Sequence, residues 1–204
     1  GVTTRVSVST TGFEGNSDST EPDISADGTR IAFRSYASNL VTGDVNGAVD
    51  VFIHDTGAGT TVLVSVSSTG TQANAESYGP SLSGDGAHVA FGSYATNLVP
   101  NDTNATFDAF LHELATGITS LVSCDSAGAH GNGQSWPTSI SYDGSQTTFY
   151  SQADGLVAGD TNAVIDVFVR DLALDCEPLR TYCTAKINSL GCTPTVGASG
   201  LPTT

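Results

Sequence analysis

One feature restricts this chain more than any other: a repeat that runs without gaps. Asp27-Gly28, Asp85-Gly86 and Asp143-Gly144 recur at a spacing of 58 residues. The same register carries Phe33, Phe91 and Phe149, then Leu40, Leu98 and Leu156, then Phe52, Phe110 and Phe168. Upstream it carries Asn16, Asn74 and Asn132. A period of this length means that one supersecondary unit is stacked on copies of itself. A single unit cannot bury its apolar face alone.

Each unit reads as four strands. In the second, they are expected at 80–83, 88–93, 108–114 and 118–123. The segment HVAFGS at 88–93 alternates and is rich in β formers. Asp85-Gly86 before it is a tight-turn dipeptide, because glycine takes positive φ without steric cost. Long polar loops are expected at 95–107 and 124–136, and no segment carries the helical period. Four strands repeated in tandem predict an all-β fold of propeller-type blades. The expected partition is a lone last strand of a preceding blade plus loop at 1–21, then blade 1 at 22–79 and blade 2 at 80–137. An incomplete blade 3 at 138–175 and a Cys-containing tail at 176–204 follow.

The segments PDISADGTRIAFRS at 22–35, PSLSGDGAHVAFGS at 80–93 and TSISYDGSQTTFYS at 138–151 resemble the TolB-like and WD-repeat-like propellers of bacteria. SNLVTGDVNGAVDVFIHD at 38–55 is similar to a subgroup found in secreted proteins. The resemblance covers about residues 1–175. It implies the fold and leaves the activity open, because propellers host many activities. The tail YCTAKINSLGCTP at 182–194 resembles the opening of a C-terminal module of exported bacterial proteins, and departs from it by ending early.

The formal net charge is −15, from six Lys and Arg against 21 Asp and Glu. Such a surface repels nucleic acid and anionic membranes, and attracts cations or basic partners. No stretch is long and apolar enough to insert in a membrane as a helix. The expected location is extracellular or at the cell surface. Four cysteines, Cys124, Cys176, Cys183 and Cys192, fit an exported protein with disulfides. The pairing stays open among three arrangements, and zinc is the competing use of these thiols.

The best candidate for chemistry is an acidic loop in every unit: Asp44, Asn46 and Asp50; Asp102, Asn104 and Asp108; Asp160, Asn162 and Asp166. Calcium takes six to eight hard oxygen ligands, and this D-x-N-x-x-x-D spacing can wrap one ion with help from backbone carbonyls and water. The same residues also suit plain Asx-turns. Persistence of both acids and the Asn, while the residues between them vary, favours Ca2+. Asn16, Asn74 and Asn132 are expected to cap or turn. His54 and His112 are equivalent, but Arg170 replaces them in the third unit, which argues against a shared catalytic or metal role. No G-x-S-x-G, Walker or dinucleotide fingerprint occurs, so no catalytic residue is assigned and an enzyme is not expected. Trp136, which replaces Thr20 and Tyr78, suits a core position or a sugar-stacking platform.

Residues 2–9 (VTTRVSVS) align with 60–67 (TTVLVSVS), the last strand of a unit. Such a strand can complete the third unit of the same chain or that of a neighbour, giving a ring or a head-to-tail fibre. It is equally what a piece of a longer propeller contains. The leading functional expectation is an extracellular structural or adhesive module, calcium-stabilised and self-associating through edge strands at 2–9. The alternatives are a carbohydrate- or protein-binding propeller and a fragment of a longer secreted hydrolase.

Overall fold

In the computed structural model, residues 1–172 are described. The described residues contain no helix and form three antiparallel sheets. The first holds β1 (Ser19–Ile24), β2 (Arg30–Ser35), β3 (Asp50–Asp55) and β4 (Thr60–Leu63), in that spatial order. The second holds β5 (Ser77–Leu82), β6 (His88–Ser93), β7 (Asp108–Glu113) and β8 (Ile118–Leu121), also in order. The third is built of β9 (Ser135–Ile140), β10 (Gln146–Ser151) and β11 (Asp166–Asp171). Each is a meander of neighbouring strands, the arrangement of a propeller blade. The end of the expected incomplete blade 3 and the expected tail, with Cys176, Cys183 and Cys192, lie outside the described residues.

The first strand of each unit starts earlier than the sequence suggests. β5 begins at Ser77, not at residue 80, and carries a bulge between Tyr78 and Ser81. The same irregularity falls between Thr20 and Asp23 in β1. A bulge breaks the alternation on which a strand assignment from sequence depends, which is why 77–79 read as loop. Residues 2–7 form no strand; only an isolated bridge joins Val8 to Glu14. Among the described residues no strand lies beside 2–5, so the β-forming sequence has nothing to pair with.

The recurrent phenylalanines are directly opposed cross-strand pairs. Phe33 faces Phe52, Phe91 faces Phe110 and Phe149 faces Phe168. Their rings stack with centroids 5.9, 5.8 and 5.4 Å apart. Such pairs contribute about 0.5–1.5 kcal/mol beyond area burial. The main core lies between the first two sheets. Val51 and Ile53 of β3 pack with Leu82 of β5 and Val89 and Phe91 of β6. A smaller cluster around Phe33, Leu40 and Phe52 is closed by Val6, so residues 6–15 already occupy the place that 64–73 take in the next unit.

Candidate functional site

The acidic loops run from the second strand of each unit into the third. Backbone conformation shapes them alike. The residue before the first acid is left-handed in all three (Gly43, φ 95°; Asn101, φ 61°; Gly159, φ 91°). So is the residue after the Asn (Gly47, φ 65°; Ala105, φ 51°; Ala163, φ 55°). These two reversals fold Asp-x-Asn into a knuckle at the head of β3, β7 and β11. The Asn side chain locks it: Asn46 Oδ1 accepts from Ala48 N, Asn104 Oδ1 from Thr106 N, and Asn162 Oδ1 from Val164 N. The Nδ2 of Asn46 and Asn104 donates across to the carbonyls of Ala73 and Gly131 in the adjoining loop. The Asn therefore makes the Asx-turn and clips two loops together, with its oxygen engaged by an N–H.

The third member of each motif opens a strand, and in units 1 and 2 it is buried. Asp50 and Asp108 are fully inaccessible. The Ser65 hydroxyl donates to Asp50 Oδ1 at 2.6 Å, and Ser123 to Asp108 Oδ1 at 2.8 Å. Burial pushes the Asp50 carboxyl up to about 6 and raises those of Asp102 and Asp108 as well.

In units 1 and 2 the first and third members lie near each other. In unit 1, Gln72 Nε2 donates to Asp44 Oδ1 at 2.8 Å and to Asp50 Oδ2 at 3.0 Å, so two carboxylates bracket one point. The side-chain Oε1 of Gln72 accepts from Val45 N. In unit 2 the equivalent residue is His130, and there Asp102 Oδ1, Asp108 Oδ2 and His130 Nδ1 are buried without a hydrogen-bond partner. In unit 3, Asn162 Nδ2 donates to Asp166 Oδ2, while Asp160 and Asp166 are half-buried. Among the described residues, no three His, Cys, Asp or Glu side chains form a group able to hold a metal by themselves. A cation here would draw on one carboxylate pair, backbone oxygens and water.

Sequence reasoning missed Gln72 and His130, which lie 28 residues beyond the first acid and vary between units. It also missed Ser65 and Ser123, whose repetition with Ser7 was a usable signal.

The other repeated residues have structural partners. Asn16 and Asn74 bind the loop after β2 and β6: their Oδ1 atoms accept from Ser38 N and Thr96 N, and Asn132 Oδ1 accepts from Asp154 N. His54 and His112 are buried and bond Thr61 and Thr119 through Nδ1. Those threonines donate to the carbonyls of Val8 and Val66. Arg170 reaches the equivalent carbonyl, Cys124 O, directly at 3.2 Å. One clip is thus built from a His–Thr relay twice and from an arginine once, which explains the break in the pattern.

One row breaks the repeat. Arg34 lies over the Tyr78 ring at 4.9 Å, Tyr94 packs on Phe107 at 4.8 Å, and Trp136 stacks on Tyr150 at 4.9 Å. Phe107 spans Tyr78 and Trp136 at 6.1 and 6.3 Å, joining the groups across units. Space for its ring exists because residue 92 is glycine, whose Cβ would sit 2.3 Å from it.

No protein-family model and no curated protein matches the chain. Among solved structures it is similar to TolB from Acinetobacter baumannii, at 16% identity over 78% of this chain and 31% of that one, with a TM-score of 0.46. A prolyl endopeptidase matches at 14% identity over 76% of this chain and 20% of that one, with a TM-score of 0.44. Hydrazine synthase from Kuenenia stuttgartiensis matches at 15% over 88% and 46%, with a TM-score of 0.42. The chain spans less than half the length of each. These likenesses are distant; the blade architecture stands on the three meanders themselves.

Proposed function

We propose that the chain is an extracellular structural module of propeller-type blades, non-catalytic, whose interlocked acidic loops are stabilised by calcium and which associates with further blades at its ends. The observation that carries the calcium reading is the bracket of two carboxylates at one point in unit 1, matched in unit 2 by buried acid oxygens that lack a donor. Burying such oxygens unpaired is costly, and a divalent cation relieves that cost in the low-dielectric loop. A ligand that binds only the native state raises the melting temperature by mass action. Calcium is expected to raise Tm and chelator to reverse it, with the shift reduced in Asp102→Asn/Asp108→Asn. A Tm indifferent to calcium sinks this reading.

A second reading, binding of a neutral glycan or a protein loop, is favoured by the aromatic row, since binding sites break repeat symmetry where scaffolds keep it. Trp136 is the single tryptophan. Its fluorescence would respond to titrated oligosaccharide on this reading and stay constant otherwise.

A further inference from the structure

Equivalent residues have opposite exposure in the three units, and the differences fall on two faces. Val51 and Ile53 of β3 are 0% and 4% exposed, and Ala109 and Leu111 of β7 are 0% and 8% exposed. Their counterparts on β11, Val167 and Val169, are 79% and 63% exposed. On the other face, Leu82 of β5 is 6% exposed, whereas its counterpart Ile24 of β1 is 58% exposed. Pro80 is buried and Pro22 exposed.

These are the two halves of one joint. Inside the chain, the Val51–Ile53 face of unit 1 receives the Leu82 face of unit 2. Hydrogen bonds to the backbone of unit 2 set the register there: Asp23 Oδ2 accepts Leu82 N at 2.7 Å, Ala26 N donates to Gly84 O at 2.9 Å, and Arg30 Nη1 donates to Gly86 O at 2.8 Å. Among the described residues, the receiving face on unit 3 and the inserting face on unit 1 are thus both apolar and both open.

From this we infer that a second copy of the chain docks head to tail, placing the Pro22–Ile24 face of one copy on the Val167–Val169 face of the other. The joint repeats the contact between units 1 and 2. The occupant is a second copy because it carries the complementary half of that same contact, already shaped by the joint between units 1 and 2. The geometry also gives residues 2–5 a place. In unit 1 the equivalent residues, Thr60–Leu63, are β4 and pair with β3. In the docked pair, residues 2–5 of one copy lie along β11 of the other, and Val2, 94% exposed in the single chain, becomes covered. The contact is heterologous, so it propagates or closes into a ring rather than stopping at a two-fold dimer. The inference deepens the structural-module reading but does not depend on calcium.

Two variants test it without touching a buried side chain: Val169→Asp blocks the receiving face and Ile24→Asp the inserting face. Sedimentation velocity of the full chain, in calcium and in chelator, is expected to show concentration-dependent species larger than a monomer. Each variant alone is expected to be monomeric. Mixed, the two retain one competent joint and are expected to form dimers and nothing larger. A wild-type monomer at every concentration overturns the inference and leaves these faces to flanking blades of a longer chain. So does an assembly lost in Val169→Asp but kept in Ile24→Asp, which would mean that two receiving faces meet each other. Loss of the calcium effect on Tm with assembly intact overturns the metal reading alone.

Discussion

Ala105 and Ala163 hold left-handed backbone where the first unit has Gly47. A Cβ costs roughly 1–2 kcal/mol in that conformation. Ala105→Gly is therefore expected to be neutral or stabilising by up to about 1 kcal/mol, and Gly47→Ala destabilising by a similar amount, as read from urea midpoints. Gln72 is the more demanding position. Replacing it by Ala leaves Asp44 and the buried Asp50 without their shared donor, and is expected to cost about 1–3 kcal/mol. If the loop binds calcium, the ion restores more stability to Gln72→Ala than it adds to wild type. Equal shifts in both would show that the carboxylates do not share a cation.

The buried histidines set a pH dependence of known sign. Burial lowers the folded-state pKa of His54 and His112 below the ordinary 6.5. The unfolded chain then binds more protons in the window just below that value, so the contribution is fully present above about 6.5 and is lost as pH falls toward the lowered folded value. Asp50 acts in the opposite sense. Its carboxyl is raised from 3.8 to about 6, so this group stabilises the fold below about 3.8 and loses that contribution as pH rises to about 6. A His54→Gln/His112→Gln variant keeps a partner for each threonine and removes the titration. Melting temperature against pH should therefore flatten just below about pH 6.5 relative to wild type. An unchanged profile would mean that other groups govern acid stability.

At the level of elements, the informative position is Gly92 on β6. It is paired with Tyr78 across the sheet and faces the Phe107 ring of the next loop. Adding a Cβ 2.3 Å from that ring forces the aromatic row to move. Overpacking of this kind costs about 1–3 kcal/mol, so Gly92→Ala is expected to lower Tm and change Trp136 fluorescence through the Phe107 contact. Gly28 is the contrast: it meets nothing within 4 Å and is held by its φ of 73° alone. The strands themselves were legible because alternation and turn dipeptides are local. HVAFGS at 88–93 coincides with β6. The bulged starts of β1, β5 and β9 were not legible, because a bulge shifts the inward and outward faces of the strand.

For the whole molecule, stability should vary along the stack as it does in repeat proteins, where each unit is held by its neighbours. The second sheet is packed on both faces, whereas the first and third each leave apolar positions open. Amides of β6 and β7 are expected to exchange slowest, and those of β11 faster than the equivalent β3 and β7 amides. Uniform exchange across the three sheets would mean that they open together as one cooperative body.

The period of 58 residues, the strands, the opposed phenylalanines and the membership of each acidic loop could all be read along the chain, because each depends on near neighbours or on comparison of one unit with the next. The tertiary structure alone decided which polar atoms are buried and what meets them. Gln72 bonds acids that lie in a different loop, and Phe107 joins rings from separate units. It alone also decided that Val167 and Val169 are open while their equivalents Val51 and Ile53 are covered. Repeats with apolar residues at the same positions encode the same face in each unit. Whether that face is core or surface depends on what is stacked against it, and that is a property of position in the stack.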